Sequence, residues 1–296
     1  MRRLALPLAA LLALLQSACV THLGKPEAAS AGPAITTGDY QRLPDLVYTP
    51  AGWPEALKAD LYLPAAAGLK PAVLLIHGGG WAAPDRRYQM AGIAQRLAAR
   101  GYVVMNASYR FAPQYRYPAQ IDDLHQALKW LRGNATLYSV DPARVASFGY
   151  SAGAHLAALL GAMNGPPAER VQAVVAGGTP ADLRDFSEGR LVPDLLGGRL
   201  DEIPAIYAAA SPILHISAGD PPVFLYHGSW DAVVSVDQAT RYQAALSAGG
   251  VYNELYLLQG LGHVAAFVFD GGAVDAAMHF LDRQLLPLLS QPAPAG

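Results

Sequence analysis

The chain has 296 residues, 52% hydrophobic and 15% charged, which supplies a sizeable core and argues against disorder over most of its length. A formal net charge of −2, with no basic stripe or arginine-rich helix pattern, argues against nucleic acid as a partner and favours small neutral or weakly charged ligands. The single cysteine excludes an intramolecular disulfide.

In chain order, Met1-Arg2-Arg3 leads into Leu4 to Leu15, an apolar run broken only by Pro7. That is the shape of a secretory signal peptide over residues 1–18, and it is too short to span a bilayer as a permanent helix. Leu15-Gln16-Ser17-Ala18-Cys19 resembles a bacterial lipobox, in which the cysteine becomes the lipidated first residue of the exported protein. Gln16 stands where an aliphatic residue is usual. Lipidation of Cys19 would hold the protein at a membrane surface. Residues 19–38, rich in Ala, Gly, Pro, Ser and Thr and containing His22, read as the lipidated cysteine and a flexible tether.

A single domain is expected over residues 39–290, with a short tail at 291–296. Leu46–Tyr48 and Ala59–Pro64 predict two alternating strands joined by a turn. Short apolar strands then follow at Ala72–Ile76, Tyr102–Ala107, Val145–Phe148, Val171–Ala176, Val223–Tyr226 and Glu254–Leu258. Between and after them, helical periodicity marks Arg87–Ala99, Ile121–Arg132, Ala152–Met163, Asp237–Ser247 and Ala273–Leu286. The alternation predicts an α/β fold with a mostly parallel central sheet covered by helices on both faces. In such sheets ligands bind at the carboxyl ends of the strands. Residues 178–220, with four prolines and poor periodicity, break the rhythm and read as a short cap-like excursion over that end. Its charged residues, Asp182 among them, read as a solvated loop.

The chemistry centres on Gly149-Tyr150-Ser151-Ala152-Gly153, placed between an apolar strand and a helical run. This is the setting of a nucleophile elbow, where glycines permit tight packing and Ser151 is left at the apex. His77-Gly78-Gly79-Gly80-Trp81 follows another buried strand, and its glycines let backbone amides face a ligand. The amides of Gly79, Gly80 and Ala152 are the candidate oxyanion hole. A serine nucleophile needs a base and a carboxylate to orient it, each here expected at a later strand end. Asp231 follows the strand at Val223–Tyr226, and His263 follows Glu254–Leu258, which gives the order Ser151, Asp231, His263. Trp81 and Tyr150 are candidate pocket walls, Trp81 alternatively a packing anchor for the glycine loop. His77 reads as a brace for that loop, His155 as packed beneath the elbow, and His227 as a strand-end hydrogen-bonding residue. His125, His215 and His279 lack a strand-end setting. Asp237 looks like the start of a helix. Neither a metal-ligand spacing nor a cofactor motif is present.

The stretches His77–Trp81, Ser108–Pro113, Tyr117–Gln120, Asp141–Val145, Gly149–His155 and His227–Asp231 together resemble the α/β-hydrolase fold. Within it, they are similar to the esterase/lipase group around hormone-sensitive lipase, bacterial carboxylesterases and feruloyl esterases. The likeness covers about residues 45–286. It implies a serine carboxylesterase acting on short-chain or aromatic esters, small or polymer-linked, through an acyl-enzyme. Hormone-sensitive-lipase-like members often carry a long N-terminal helical cap, which residues 20–44 are too short to build. A more open site is therefore implied. The sequence also resembles kynurenine formamidases, so amide hydrolysis is the alternative chemistry, and a non-catalytic surface-binding module is the alternative class.

Overall fold

The run Lys70–Ile76 is buried at every position, as an unbroken apolar segment must be when both of its faces are covered. It is the fourth strand of a nine-stranded sheet in a computed structural model that describes residues 20–24, 38–82, 84–163 and 165–286. The strands are β1 (Val20–Leu23), β2 (Tyr40–Val47), β3 (Lys58–Pro64), β4 (Lys70–Ile76), β5 (Val103–Ala107), β6 (Val140–Tyr150), β7 (Val174–Gly177), β8 (Val223–Gly228) and β9 (Asn253–Leu258). The helices are α1 (Ala91–Ala99), α2 (Ala119–Gly133), α3 (Ala135–Tyr138), α4 (Ala152–Ala162), α5 (Leu191–Leu196), α6 (Pro204–Ala209), α7 (Val236–Ala248), α8 (His263–Val268) and α9 (Ala273–Leu285). Strand order is β1-β9-β8-β7-β6-β4-β5-β3-β2. The strands from β9 to β5 in that order pair in parallel, and β1, β3 and β2 pair antiparallel at the two edges.

Alternation along the strands divides the core in two. Ala72, Leu74 and Ile76 of β4 face a cluster completed by Leu124 and Leu128 of α2, Leu156 and Leu159 of α4, and Tyr242 and Leu246 of α7. Val73 and Leu75 point the other way, to Ile93 and Leu97 of α1 and Met278, Phe280 and Leu281 of α9. At about 25 cal/mol per Å² of apolar surface, such two-sided burial is the main term holding the fold.

Parallel register levels the strand ends. Ile76 lies opposite both Ala107 and Gly149, Gly149 opposite Ala176, Ala176 opposite Leu225, and Tyr226 opposite Tyr256. The loops leaving β4, β6, β7, β8 and β9 therefore emerge side by side along one rim.

Two expectations are corrected. The segment after Cys19 is not tether throughout. Val20–Leu23 forms the edge strand β1, in register from Val20 opposite Leu258 to Leu23 opposite Leu255. His22 fixes it there, its Nε2 lying 2.8 Å from Oε2 of the buried Glu254 and its ring edge-on to Phe224 and Tyr256. Glu254 also accepts from Arg283 at 2.5 Å and from the Tyr252 hydroxyl at 2.9 Å. Burial raises its pKa, but those partners outweigh it and hold the carboxyl below the ordinary glutamate value. Second, of the charged residues read as a solvated loop, Arg184, Asp185, Glu188 and Arg190 are exposed but Asp182 is not, because the 178–220 excursion is a folded segment. It folds into α5, α6 and short 3₁₀ turns, and it buries Leu183, Val192, Leu195, Tyr207 and Ala210 in the core. Within it Asp182 is buried and chelates Arg184 at 2.8 Å. The expected signal peptide at 1–18, Cys19, the rest of the expected tether from 25 to 37 and the tail at 291–296 lie outside the described residues.

Candidate active site

The turn between β6 and α4 is held by backbone crossings that leave no room for side chains. A Cβ on Gly149 would sit 2.2 Å from the Gly153 carbonyl oxygen, and one on Gly153 would sit 2.2 Å from the Ile76 oxygen and 2.6 Å from that of His77. Between them Ser151 takes φ 55° and ψ −124°, a conformation that costs an L-residue about 1–3 kcal/mol. The Ser151 N–H bonds to the Gly177 carbonyl at 2.7 Å, so β7 clamps the strained residue. Ala152 opens α4, where a first-turn N–H has no intrahelical acceptor and the helix end is electropositive.

Ser151 Oγ lies 2.9 Å from His263 Nε2, and His263 Nδ1 lies 2.6 Å from Asp231 Oδ2. Ser151 and His263 are partly exposed, while the Asp231 carboxylate is buried. Burial alone would raise the Asp231 pKa. It is outweighed by hydrogen bonds from His227, His263 and the Val234 amide, which hold this carboxyl well below the usual range. Oδ1 accepts from the Val233 and Val234 amides at 2.9 and 2.8 Å. The His227 Nε2–H is shared between the Val234 carbonyl at 2.8 Å and Asp231 Oδ2 at 3.3 Å. Asp231 is thus fixed in ionised form with one oxygen committed to the His263 ring.

The glycine loop lies against this elbow. A Cβ on Gly78 would meet the Tyr150 carbonyl oxygen at 2.9 Å and Ser151 Cβ at 3.3 Å. Gly79, Gly80 and Trp81 all have positive φ, at 117°, 62° and 58°, the backbone shape the glycines are there to permit. His77 braces the loop, as expected. Its Nδ1–H donates to the Gly78 carbonyl at 2.7 Å, its ring stacks on Tyr109 at 4.7 Å, and burial pushes its pKa down to about 4. Such a ring is neutral at working pH.

Trp81 and Tyr150 are supports rather than pocket walls, each only 4% exposed. The Trp81 indole N–H donates to His155 Nδ1 at 3.2 Å, and His155 Nε2–H donates in turn to the Ala210 carbonyl at 2.7 Å. His155, pushed down to about 4 by burial, is a neutral bridge between the glycine loop and the excursion. The Tyr150 hydroxyl donates to the His263 carbonyl at 2.6 Å, and its ring lies 5.2 Å from that of His263 and 4.9 Å from Phe267. A Cβ on Gly178, at φ 58°, would meet His263 Cε1 at 3.0 Å, so the absence of a side chain after β7 leaves the imidazole its room.

His227 is a strand-end hydrogen-bonding residue as expected, but sequence reasoning did not foresee its approach to the Asp231 carboxylate, the Tyr150 link to His263, or Leu191. The last reaches over the glycine loop, 3.2 Å from where a Gly80 Cβ would lie, and is half exposed. Nothing in its local sequence marks it. The remaining candidates are engaged elsewhere: His215 with the Ala209 carbonyl, His279 with Arg100, His125 beside Glu169, and Asp237 with Arg241 in the first turn of α7.

The BD-FAE family model matches residues 59–246. Among curated proteins, esterase LipC of Mycobacterium tuberculosis is 31% identical over 227 residues, covering 71% of this chain and 56% of the relative. Carboxylesterase NlhH of the same species is 31% identical over 226 residues, covering 69% and 66%. The chain spans about half the length of LipC and somewhat more of NlhH. Among solved structures, a truncated carbohydrate esterase from gut microbiota superposes with TM-score 0.75 at 24% identity, covering 86% of this chain and all of that one. The butyrate-bound esterase Est2 of Thermogutta terrifontis superposes with TM-score 0.68 at 25% identity, covering 89% and 98%.

Proposed function

The chain belongs to the BD-FAE family and has the α/β-hydrolase fold, and from that premise we propose that it is a serine carboxylesterase working through an acyl-enzyme. The observation that carries this is the unbroken line from Asp231 Oδ2 through His263 to Ser151 Oγ, at 2.6 and 2.9 Å. In the proposed reaction His263 Nε2 takes the Ser151 proton as Oγ attacks the ester carbonyl, and Asp231 stabilises the imidazolium that forms. The amides of Gly79, Gly80 and Ala152 receive the developing oxyanion, each preorganised donor contributing about 3 kcal/mol in the transition state. His263 then protonates the departing alcohol. Water repeats the sequence on the acyl-enzyme, releasing the acid and regenerating Ser151.

Short-chain or aromatic esters are the proposed substrates. Ser151 is reachable from solvent, and Leu191 on α5 is the side chain over the oxyanion loop. One of the similar structures is an esterase with butyrate, a short-chain carboxylate, bound. Export through residues 1–18, with a lipid on Cys19 holding the domain at a membrane surface, is proposed from the sequence pattern.

Hydrolysis of a p-nitrophenyl ester series from acetate to palmitate, with methyl ferulate alongside, tests the reading in wild type and Ser151→Ala. Serine-dependent turnover, fastest at short chains or on ferulate, is the expected result. Turnover of a formamide with no ester cleaved would shift the assignment to amide hydrolysis.

A further inference from the structure

The register of β1 decides which way the domain faces its anchor. Val20 pairs with Leu258, the last residue of β9, so the chain enters the sheet at the rim where the loops carrying Ser151, Asp231 and His263 emerge. Thr21 reinforces the placement, its hydroxyl accepting from Gln259 Nε2 at 3.1 Å in the turn that leads to His263. Cys19 is covalently one residue before Val20, a step of about 3.8 Å between Cα atoms. A lipid on Cys19 is therefore leashed to the active-site rim, with no tether to let the domain turn away.

That rim has an unusual surface. From Gln259 to Phe269 no Lys, Arg, Asp or Glu occurs. Val264 and Val268 sit one turn apart on the outer side of α8, 69% and 62% exposed, and Phe269 at its end is 72% exposed. Trp230, 76% exposed, is joined to the same turn by its N–H to the Leu261 carbonyl at 3.0 Å, and Ser229 beside it accepts from the Gly260 amide at 2.8 Å. The inner side of α8 is spent on the fold, with Ala266 buried and Phe267 against Tyr150. Of the charges adjoining this surface in sequence, Asp231 is buried against His263 and Asp270 is tied to Arg96 at 2.5 Å. Exposed aromatic and aliphatic side chains in a neutral setting cost free energy in water and suit the boundary between lipid headgroups and acyl chains.

We infer that Trp230, Val264, Val268 and Phe269 form a membrane-docking face that, with the lipid on Cys19, holds the mouth of the active site against the bilayer. The inference rests on the proposed lipidation of Cys19, and its occupant is a lipid bilayer. Once the anchor is inserted, the short leash keeps the apolar face at high local concentration beside the surface, so modest affinity suffices. Esters partitioned into the membrane then reach Ser151 without crossing bulk water.

The test uses the full chain, purified with its lipid and reconstituted on phosphatidylcholine vesicles. Trp230 emission is isolated by subtracting the signal of Trp230→Phe, because the chain has three other tryptophans. Docking predicts that Trp230 loses most of its iodide quenching on vesicles and becomes quenched by brominated acyl chains. The double variant Val268→Ser/Phe269→Ser should still float with the vesicles but regain iodide quenching several-fold. Protein that floats while wild-type Trp230 remains fully open to iodide overturns the docking face and leaves the anchor standing. A mass spectrum showing no acyl chain on Cys19 overturns both, and hydrolysis of soluble esters by Ser151 is read separately. A dimer in which Trp230 is shielded without vesicles assigns the face to a second copy and overturns the inference.

Discussion

Replacing Asp231 by Asn removes a charge without changing shape, and the surrounding hydrogen bonds determine the consequence. Oδ1 is held by two backbone amides, at 2.9 and 2.8 Å from Val233 and Val234, so an asparagine keeps its oxygen there. Its NH₂ then occupies the Oδ2 position, 2.6 Å from His263 Nδ1, and donates to that nitrogen. The imidazole must present a lone pair at Nδ1 and carry its proton on Nε2, pointing at Ser151 Oγ 2.9 Å away. A base with its proton on the wrong nitrogen cannot accept one. The expected fall in kcat is about 10⁴-fold, or about 5 kcal/mol of transition-state stabilisation. The assay is kcat for p-nitrophenyl acetate near pH 8, with circular dichroism showing that the variant is folded and Ser151→Ala giving the floor. A folded Asp231→Asn enzyme within about tenfold of wild type would refute the tautomer argument and the orienting role.

Gly153→Ala should lower stability by about 1–3 kcal/mol or more and reduce turnover, because the added Cβ meets backbone oxygens of Ile76 and His77 that cannot swing aside; an unchanged Tm would contradict the packing. Tyr150→Phe deletes the hydrogen bond to the His263 carbonyl, and a loss of about 1 kcal/mol in transition-state stabilisation, about fivefold in kcat/KM, is expected with the fold intact. His77 and His155 titrate near 4 in the fold, against about 6.5 in an unfolded chain. Both are neutral in either state above pH 7, and between pH 6.5 and 4 the unfolded chain takes up protons the fold refuses. Stability should therefore decline across that window by roughly 3 kcal/mol per histidine, seen as a falling urea midpoint; a flat midpoint from pH 7 to 4.5 would contradict their burial as neutral rings.

Much of this architecture is legible in the sequence because it rests on local rules. Buried parallel strands read as apolar runs, and Lys70–Ile76 is buried throughout. The elbow glycines are required by backbone contacts within a few residues and across one strand, so Gly-x-Ser-x-Gly after a strand carries its own explanation. Ser151, Asp231 and His263 can be singled out as candidates because each follows a strand end, and parallel register brings those ends to one level. What escaped depends on distant partners. Four residues, Val20 to Leu23, are too few for a period-two pattern to stand out, and their pairing is set by the β9 edge and by Glu254. The excursion lacks periodicity because its short helices bury residues against the domain one at a time, as Leu195 and Tyr207 do. Trp81 and Tyr150 lie in the right motifs, but only the depth of packing distinguishes a wall facing substrate from a strut behind it.

The central claim is that Ser151 is the nucleophile, and covalent labelling tests it most directly. After incubation with diethyl p-nitrophenyl phosphate, intact and peptide mass spectrometry should show one diethylphosphoryl group per chain, on Ser151, with esterase activity lost in proportion and Ser151→Ala unlabelled. Full labelling at another residue, or ester hydrolysis that survives complete modification of Ser151, would contradict the account.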